Sequence, residues 1–294
     1  MVINSLQHLI TDMNKSRLIL TTIIALLAVQ IAFAQQMIIG TYNLRFDNKK
    51  DSGNLWVDRA PVVVDLIRFH DFDVLGTQEG LKNQLDDIST ALPEYDRYGK
   101  GRDDGQDKGE HSVIYFKKDK FKLLKSGDFW LSQTPDKPSL GWDATCCNRI
   151  CSWVQLQDKK SGKKFYFFNA HFDHQGVQAR QESSKLILQK IKEIAGKDPV
   201  IFTGDLNGSQ QSDWYKVLAT SGWLNDSYSA VKHPYANNAS FNGFGLSKRQ
   251  SRDIIDHIFT TSQFTTTKWG ILTDTYFGKF PSDHFPVLAV ITLK

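Results

Sequence analysis

Four scarcities narrow the reading before any motif is weighed. The chain has only three cysteines, and Cys146, Cys147 and Cys151 crowd into one Cys-Cys-Asn-Arg-Ile-Cys segment. No second ligand cluster stands at the spacing a structural zinc site needs. An odd count leaves one thiol over, and a bond between neighbours is strained, so a local loop disulfide and three reduced thiols both stay open. Long basic blocks are missing too, so a net charge of +4 permits a polyanionic ligand without demanding one. The lysines of 118–125 and 159–164 read instead as solvated groups flanking hairpin turns. Beyond residue 34 no repeat, low-complexity tract or Pro/Gly/Ser linker interrupts the chain, which favours one domain. Finally, no Ser, Thr or Cys sits in a motif that would give it a base. Attack by water is therefore favoured over a covalent intermediate.

What is present starts at the N-terminus. Met13-Asn-Lys-Ser-Arg17 is a short positive stretch, Leu18 to Ala34 is apolar, and Ala32-Phe33-Ala34 is a small-residue ending. That order reads as a secretory signal over 1–34, removed after Ala34. The competing reading, an uncleaved anchor, has an apolar run near the lower limit for spanning, about 17 residues. No cysteine near the cleavage point offers a lipid attachment site. Losing Asp12, Lys15 and Arg17 leaves about +3. The remaining 35–294 is long enough for one large domain with a full core. Export to the periplasm or beyond, without stable membrane insertion after cleavage, and a monomeric state are the expectations. Whether translation starts at Met1 or Met13 stays open.

Strand-like runs, rich in β-branched and aromatic residues, cover Met37–Asn43, Val74–Gln78, Ser112–Phe116, Trp153–Gln157, Lys164–Asn169, Val200–Thr203, Ile254–Thr260 and Val287–Leu293. Helical patterns fall at Trp56–His70, after Asn54, and at Val177–Ile194, where Ile187, Ile191 and Ile194 recur at helical spacing. Asp158-Lys-Lys-Ser-Gly-Lys163 predicts a hairpin turn. Early strands alternate with helices while later strands follow one another, which points to an α+β layered sandwich: two mixed sheets face to face, helices outside.

Chemistry gathers at the ends of these runs. Asn43 closes the first strand and can donate to a phosphate oxygen or sit beside a metal. Glu79 ends a fully apolar strand, where an unpaired carboxylate is costly and a hard cation such as Mg²⁺ or Mn²⁺ removes that cost. His171 follows an aromatic strand, with His174 and Arg180 as supporting donors. Gly204-Asp205-Leu-Asn207-Gly sets an acid and an amide at i and i+2, on one face of an extended segment, to deprotonate and orient water. Asp256, embedded in an apolar strand, needs a partner, and His284 in Ser-Asp-His-Phe-Pro is the natural one. Asp283 points elsewhere and can reach a metal, while Glu110 can orient His171. Each residue alone has an ordinary explanation as a turn or cap; all of them together do not.

In this order, these segments resemble the endonuclease/exonuclease/phosphatase superfamily, the fold group of pancreatic deoxyribonuclease, abasic-site endonucleases, inositol-polyphosphate phosphatases and neutral sphingomyelinases. The resemblance runs from Met37 to Leu293 and is most specific at Gly-Asp-Leu-Asn and the terminal Ser-Asp-His. Phe129-Trp-Leu-Ser-Gln-Thr-Pro135, Asn169-Ala-His171-Phe-Asp-His174 and Ser240-Phe-Asn-Gly-Phe244 look like a secreted bacterial branch, similar also to carbon-catabolite-repressor-type deadenylases. The resemblance implies a four-layer αββα sandwich with largely antiparallel sheets, and Mg²⁺- or Mn²⁺-dependent hydrolysis of phosphoesters. By it, Glu79, Asn43 and Asp283 serve the metal, and Asp205 activates water. Asn43, His171, Asn207 and His284 bind phosphate, Asp256 holds His284, and His171, held by Glu110, binds phosphate or protonates the leaving oxygen. The Cys146-Cys147 pair departs from the family pattern between Trp142 and Arg149. A nuclease acting on RNA or DNA, with Trp130, Trp142, Phe241 and Phe244 to stack on bases, is the first expectation. A phosphomonoesterase, or a phospholipid or sugar-phosphate hydrolase, is the alternative, and a non-catalytic binding module the reading from another class.

Overall fold

A computed structural model describes residues 36–245 and 251–294. The expected signal segment, 1–34, lies outside the described residues. Along the chain run β1 (Gln36–Asn43), α1 (Trp56–His70), β2 (Val74–Gly80), α2 (Lys82–Ala91), β3 (Tyr95–Tyr98), β4 (His111–Lys117) and β5 (Phe121–Trp130). There follow β6 (Ile150–Asp158), β7 (Lys164–His171), α3 (Val177–Ala195), β8 (Val200–Asp205) and α4 (Asp213–Ala219). The last are β9 (Asn225–Asp226), β10 (Asp256–Thr260), β11 (Phe264–Ile271) and β12 (Val287–Leu293).

Two six-stranded sheets result, ordered β11-β12-β1-β2-β4-β3 and β5-β6-β7-β8-β10-β9. Each contains one parallel pair, β1 with β2 and β7 with β8, and its other neighbours are antiparallel. The parallel pairs are joined by α1 and α3, because two strands running the same way need a crossover to return the chain. Side-chain alternation then builds the layers. Phe165 and Phe167 face the seam between the sheets, packed with Ile39, Phe116, Ile201 and Ile258. Phe168 and Phe202 face outward under Ile187 and Ile191 of α3, and Leu75 and Val113 lie under Val63 and Ile67 of α1. The expected α+β sandwich with outer helices is what forms.

One end of the seam is polar. Gln78 Nε2 donates to Thr41 Oγ1 at 3.0 Å and to Asn169 Oδ1 at 2.7 Å, all buried. Asn169 Nδ2 in turn donates to the carbonyls of Thr77 and Val113, and Thr203 Oγ1 to Asn169 Oδ1. Gly76 permits this closeness, since a Cβ there would stand 2.3 Å from Thr203 Oγ1 and 2.6 Å from Asn169 Oδ1. Two expectations are corrected. Lys118–Lys125 flanks no hairpin: β4 belongs to the first sheet and β5 to the second, so the turn carries the chain across the sandwich. Asn54 does not cap α1 through its side chain; Leu55 holds the cap position. The Asp158–Lys163 hairpin joins β6 to β7 as expected.

Candidate active site

The parallel pairs both end at one edge of the sandwich, where Asn43, Glu79, His171 and Asp205 close or nearly close β1, β2, β7 and β8. Glu79 adopts a positive φ of 63° where β2 shifts register against β4, a bulge that re-aims a side chain out of the strand's alternation. Asn43 then bridges the two sheets: its Nδ2 donates to Glu79 Oε1 and to Asp205 Oδ2, both at 3.0 Å. Its Oδ1 accepts from the Arg45 backbone N–H, which fixes the amide's orientation.

Asp205 is the hub. It pairs across the strands with Asp256 on one side and His171 on the other. Its Oδ2 stands 3.5 Å from His171 Nε2 and 3.6 Å from His284 Nε2. Burial, and then the neighbouring Asp256 charge, push its carboxyl up to about 7, against the opposing pull of His284. Asn207 reaches the same place by a different route from the one expected. It lies in the left-handed region at φ 46°, not on an extended segment, and its backbone N–H closes an Asx turn onto Asp205 Oδ1 at 2.8 Å. Its Nδ2 contacts His171 Nε2 and the Phe172 carbonyl, each at 3.0 Å.

Asp256 opens β10 instead of being embedded in it, and its Oδ2 accepts from His284 Nδ1 at 2.9 Å. Burial disfavours the His284 cation, but the Asp256 and Asp205 charges outweigh it and raise the imidazole to about 10. His171 goes the other way: burial, then the Arg149 and Arg102 guanidinium charges, hold it well below the usual histidine range. One imidazole is thus charged and the other neutral. Glu110 is close, at 4.0 Å from His171 Nδ1, but its hydrogen bond of 2.5 Å goes to Arg102. Burial and then the Glu79 charge raise it to about 7.

The supporting residues split. His174 is exposed at the rim and accepts from Arg149 Nη2 at 2.9 Å. Arg180 does not join the cluster; it donates to the Asp173 carbonyl and stacks over Trp214 at 4.3 Å, which holds the loop behind His171. Among the four aromatics expected to meet bases, Trp130 is buried with its Nε1 on the Arg102 carbonyl, and Phe244 lies against Arg59. Phe241 is 44% exposed and packs edge-on to His284 at 5.0 Å. Cys146 and Cys147 form a disulfide with each other, and Cys151 is a buried free thiol.

Several residues that hold the site were not singled out from sequence. Arg59, fully buried on α1, donates to the carbonyls of Leu44, Arg45, Asn54 and Pro281, tying the β1 exit to the loop before Asp283. Its signal was available, as a cation on the apolar face that carries Trp56 and Val63. Arg59→Met is expected to lower stability by about 3 kcal/mol, since it strands four carbonyls; a urea midpoint left unchanged would refute the assignment. Trp214 Nε1 and His257 Nε2 similarly bond the Leu206 and Gly208 carbonyls on either side of Asn207, each at 3.0 Å.

Could this edge hold a cation? Asp283 is raised by burial and, against His284, by Glu79; its nearest guanidinium is Arg45 at 3.8 Å. Three carboxylates, Glu79, Asp205 and Asp283, therefore share a region served mainly by amide and imidazole donors, a set that suits a hard divalent ion. Asp205, Asp256 and His284 also lie within 4.8 Å of one another, close enough to share an ion. The Asp256–His284 hydrogen bond occupies Nδ1 and leaves Nε2 turned toward Asp205.

Comparison with known proteins agrees with this architecture. The model of the Endonuclease/Exonuclease/phosphatase family matches residues 40–284. A crystal structure of a family protein from Bacteroides thetaiotaomicron is 45% identical, with a TM-score of 0.85 over 88% of this chain and 98% of that one. A mannosyl-6-phosphatase from the same species is also 45% identical, with a TM-score of 0.84 over 87% of this chain and 100% of that one. An uncharacterised protein of Acanthamoeba polyphaga mimivirus, L388, is 30% identical over 161 residues, 52% of this chain and 59% of the viral protein. The chain thus spans a little over half the length of that curated relative. It belongs to the endonuclease/exonuclease/phosphatase family.

Proposed function

We propose that this protein is a divalent-metal-dependent phosphoester hydrolase acting on sugar phosphates, with water as the nucleophile. The observation that carries the reaction is the meeting of Asn43, Glu79, Asp205, Asn207, Asp256 and His284 across the seam. Glu79, Asn43 and Asp283 would hold Mg²⁺ or Mn²⁺, which would supply Lewis-acid stabilisation of charge on the phosphoryl oxygens. Asp205, poised near neutrality, takes a proton from the attacking water. Asn207 orients a phosphoryl oxygen, with His171 beside it. The His284 cation, oriented by Asp256, donates to the oxygen on which charge builds. The new bond joins water oxygen to phosphorus, the ester P–O bond breaks, and the departing alkoxide takes a proton from solvent to leave as the alcohol, while Asp205 returns to solvent the one it accepted.

The sugar-phosphate preference rests on the 45% identity to a mannosyl-6-phosphatase. Export after cleavage at Ala34 belongs to the same reading, to be checked by N-terminal sequencing of the mature protein. A nuclease is the second reading, favoured by exposed Phe241 beside His284, where a base can stack.

The test compares mannose 6-phosphate, bis-p-nitrophenyl phosphate and single-stranded RNA with Mg²⁺ or Mn²⁺. The expected result is the highest kcat/KM on the sugar monophosphate, falling about 10³-fold in EDTA and restored by added metal. A higher kcat/KM on RNA would hand the assignment to the second reading, and undiminished turnover in EDTA would remove the metal.

A further inference from the structure

Beside the catalytic edge lies a groove of about 1080 Å³, whose lining includes Asn237, Asn238, Phe241, Asp253, Thr275 and Phe280. This is just above the volumes usual for small-molecule sites, about 300–1,000 Å³. It shares a wall with the reaction centre. Ala239 and Ser240 bond through their N–H groups to the Ser251 and Asp253 carbonyls. Asn242 and Gly243 bond forwards to the Asp283 carbonyl, and Phe285 N–H closes on Ser240. Ser240 Oγ accepts from the N–H groups of Ile255 and Asp256. The strip 239–243 is thus pinned on one side to the start of β10 and on the other to the Asp283–His284 loop. Phe241 on this strip lines the groove and touches His284.

The lining has a definite chemistry. Asn237, Asn238, Thr273 and Thr275 present amides and hydroxyls, and none bonds through its side chain to another described residue. Phe241 and Phe280 supply aromatic faces. Among the described residues the only charges on the lining are Arg252 and Asp253, of opposite sign. Neutral amides, hydroxyls and aromatic rings in one groove match a chain of sugar hydroxyls and C–H faces.

We infer that this groove binds a neutral oligosaccharide, so that the preferred substrate is a phosphorylated glycan longer than one sugar. Its phosphate would enter the catalytic edge past Phe241 while the next sugar rests on Asn237, Asn238 and Thr275. The inference rests on the sugar-phosphate reading above and extends it to the alcohol side of the ester.

Two measurements on the full chain test it. Unphosphorylated mannotriose, titrated calorimetrically, is expected to bind the wild type, with affinity falling about tenfold in the Asn238→Ala/Thr275→Ala double variant. For 6-phosphorylated mannobiose, kcat/KM is expected to exceed that for mannose 6-phosphate and to fall about tenfold in the same variant, with p-nitrophenyl phosphate turnover unchanged. Binding of mannotriose without hydrolysis of any sugar phosphate would leave the groove standing and overturn the reaction assignment. Hydrolysis of mannose 6-phosphate with no gain from the second sugar, or no mannotriose binding, would overturn the groove alone. Single-stranded RNA losing affinity in the double variant would reverse the choice of ligand.

Discussion

Asp205→Asn should lower kcat by about 10³-fold, because the change removes the one group placed to accept the water's proton. KM should move little, since Asn207 and His284 still face the phosphate. The variant should melt within about 3 °C of the wild type, roughly 1 kcal/mol for a domain of this size. The amide oxygen still accepts the Asn207 N–H; the bond from Asn43 Nδ2 is lost, offset by removal of a buried charge beside Asp256. A variant that keeps a tenth of wild-type kcat would rule out Asp205 as the base. If kcat and folded fraction fell together, the residue would be structural.

The second large effect is a failure of additivity. His284→Ala removes the cation that meets the developing charge, and a loss of about 10³-fold in kcat is expected. Asp256→Asn leaves the imidazole present without the charge that raises and orients it, with an expected loss of about 10²-fold. Because Asp256 acts through His284, the double variant should be no slower than His284→Ala alone. Multiplicative losses, near 10⁵-fold in the double variant, would mean that Asp256 works by a separate route, for instance as an ion ligand with Asp205.

The sequence displayed the interior of this fold better than its margins. The runs read as strands became β1, β2, β4, β6, β7, β8, β10 and β12, each flanked on both sides within its sheet. The strands it hid, β3, β5, β9 and β11, are the four sheet edges. Edge strands are half solvated and carry the lysines and bulges that discourage association, as in Lys122 and Lys125 of β5 or the shift at Thr266/Lys268 in β11. Their hydrophobic alternation is broken for that reason. Helices α2 and α4, of 10 and 7 residues, were too short for a periodic signal.

At the site, polar residues ending apolar runs were legible because burial makes them expensive there. Convergence itself could only be inferred from their repetition. Arg59, Trp214 and His257 were hidden, since their work is done on backbone carbonyls of distant segments, and no spacing in the chain announces such a partner. A turn is the ordinary explanation of Asn207 taken alone, and that turn is what carries its amide to His171.

The hydrogen-bonded knot of Thr41, Gln78, Asn169 and Thr203 has a consequence for how this protein can change. Oily surfaces tolerate sliding, because dispersion and water exclusion have no preferred direction. Directional bonds do not, and these four residues act as dowels that stop one half of the molecule from creeping past the other. Substrate preference can then drift through the outer loops while the spacing between Asn43 and Asp205 stays put. A lineage that lost the dowels would keep its shape and lose its aim.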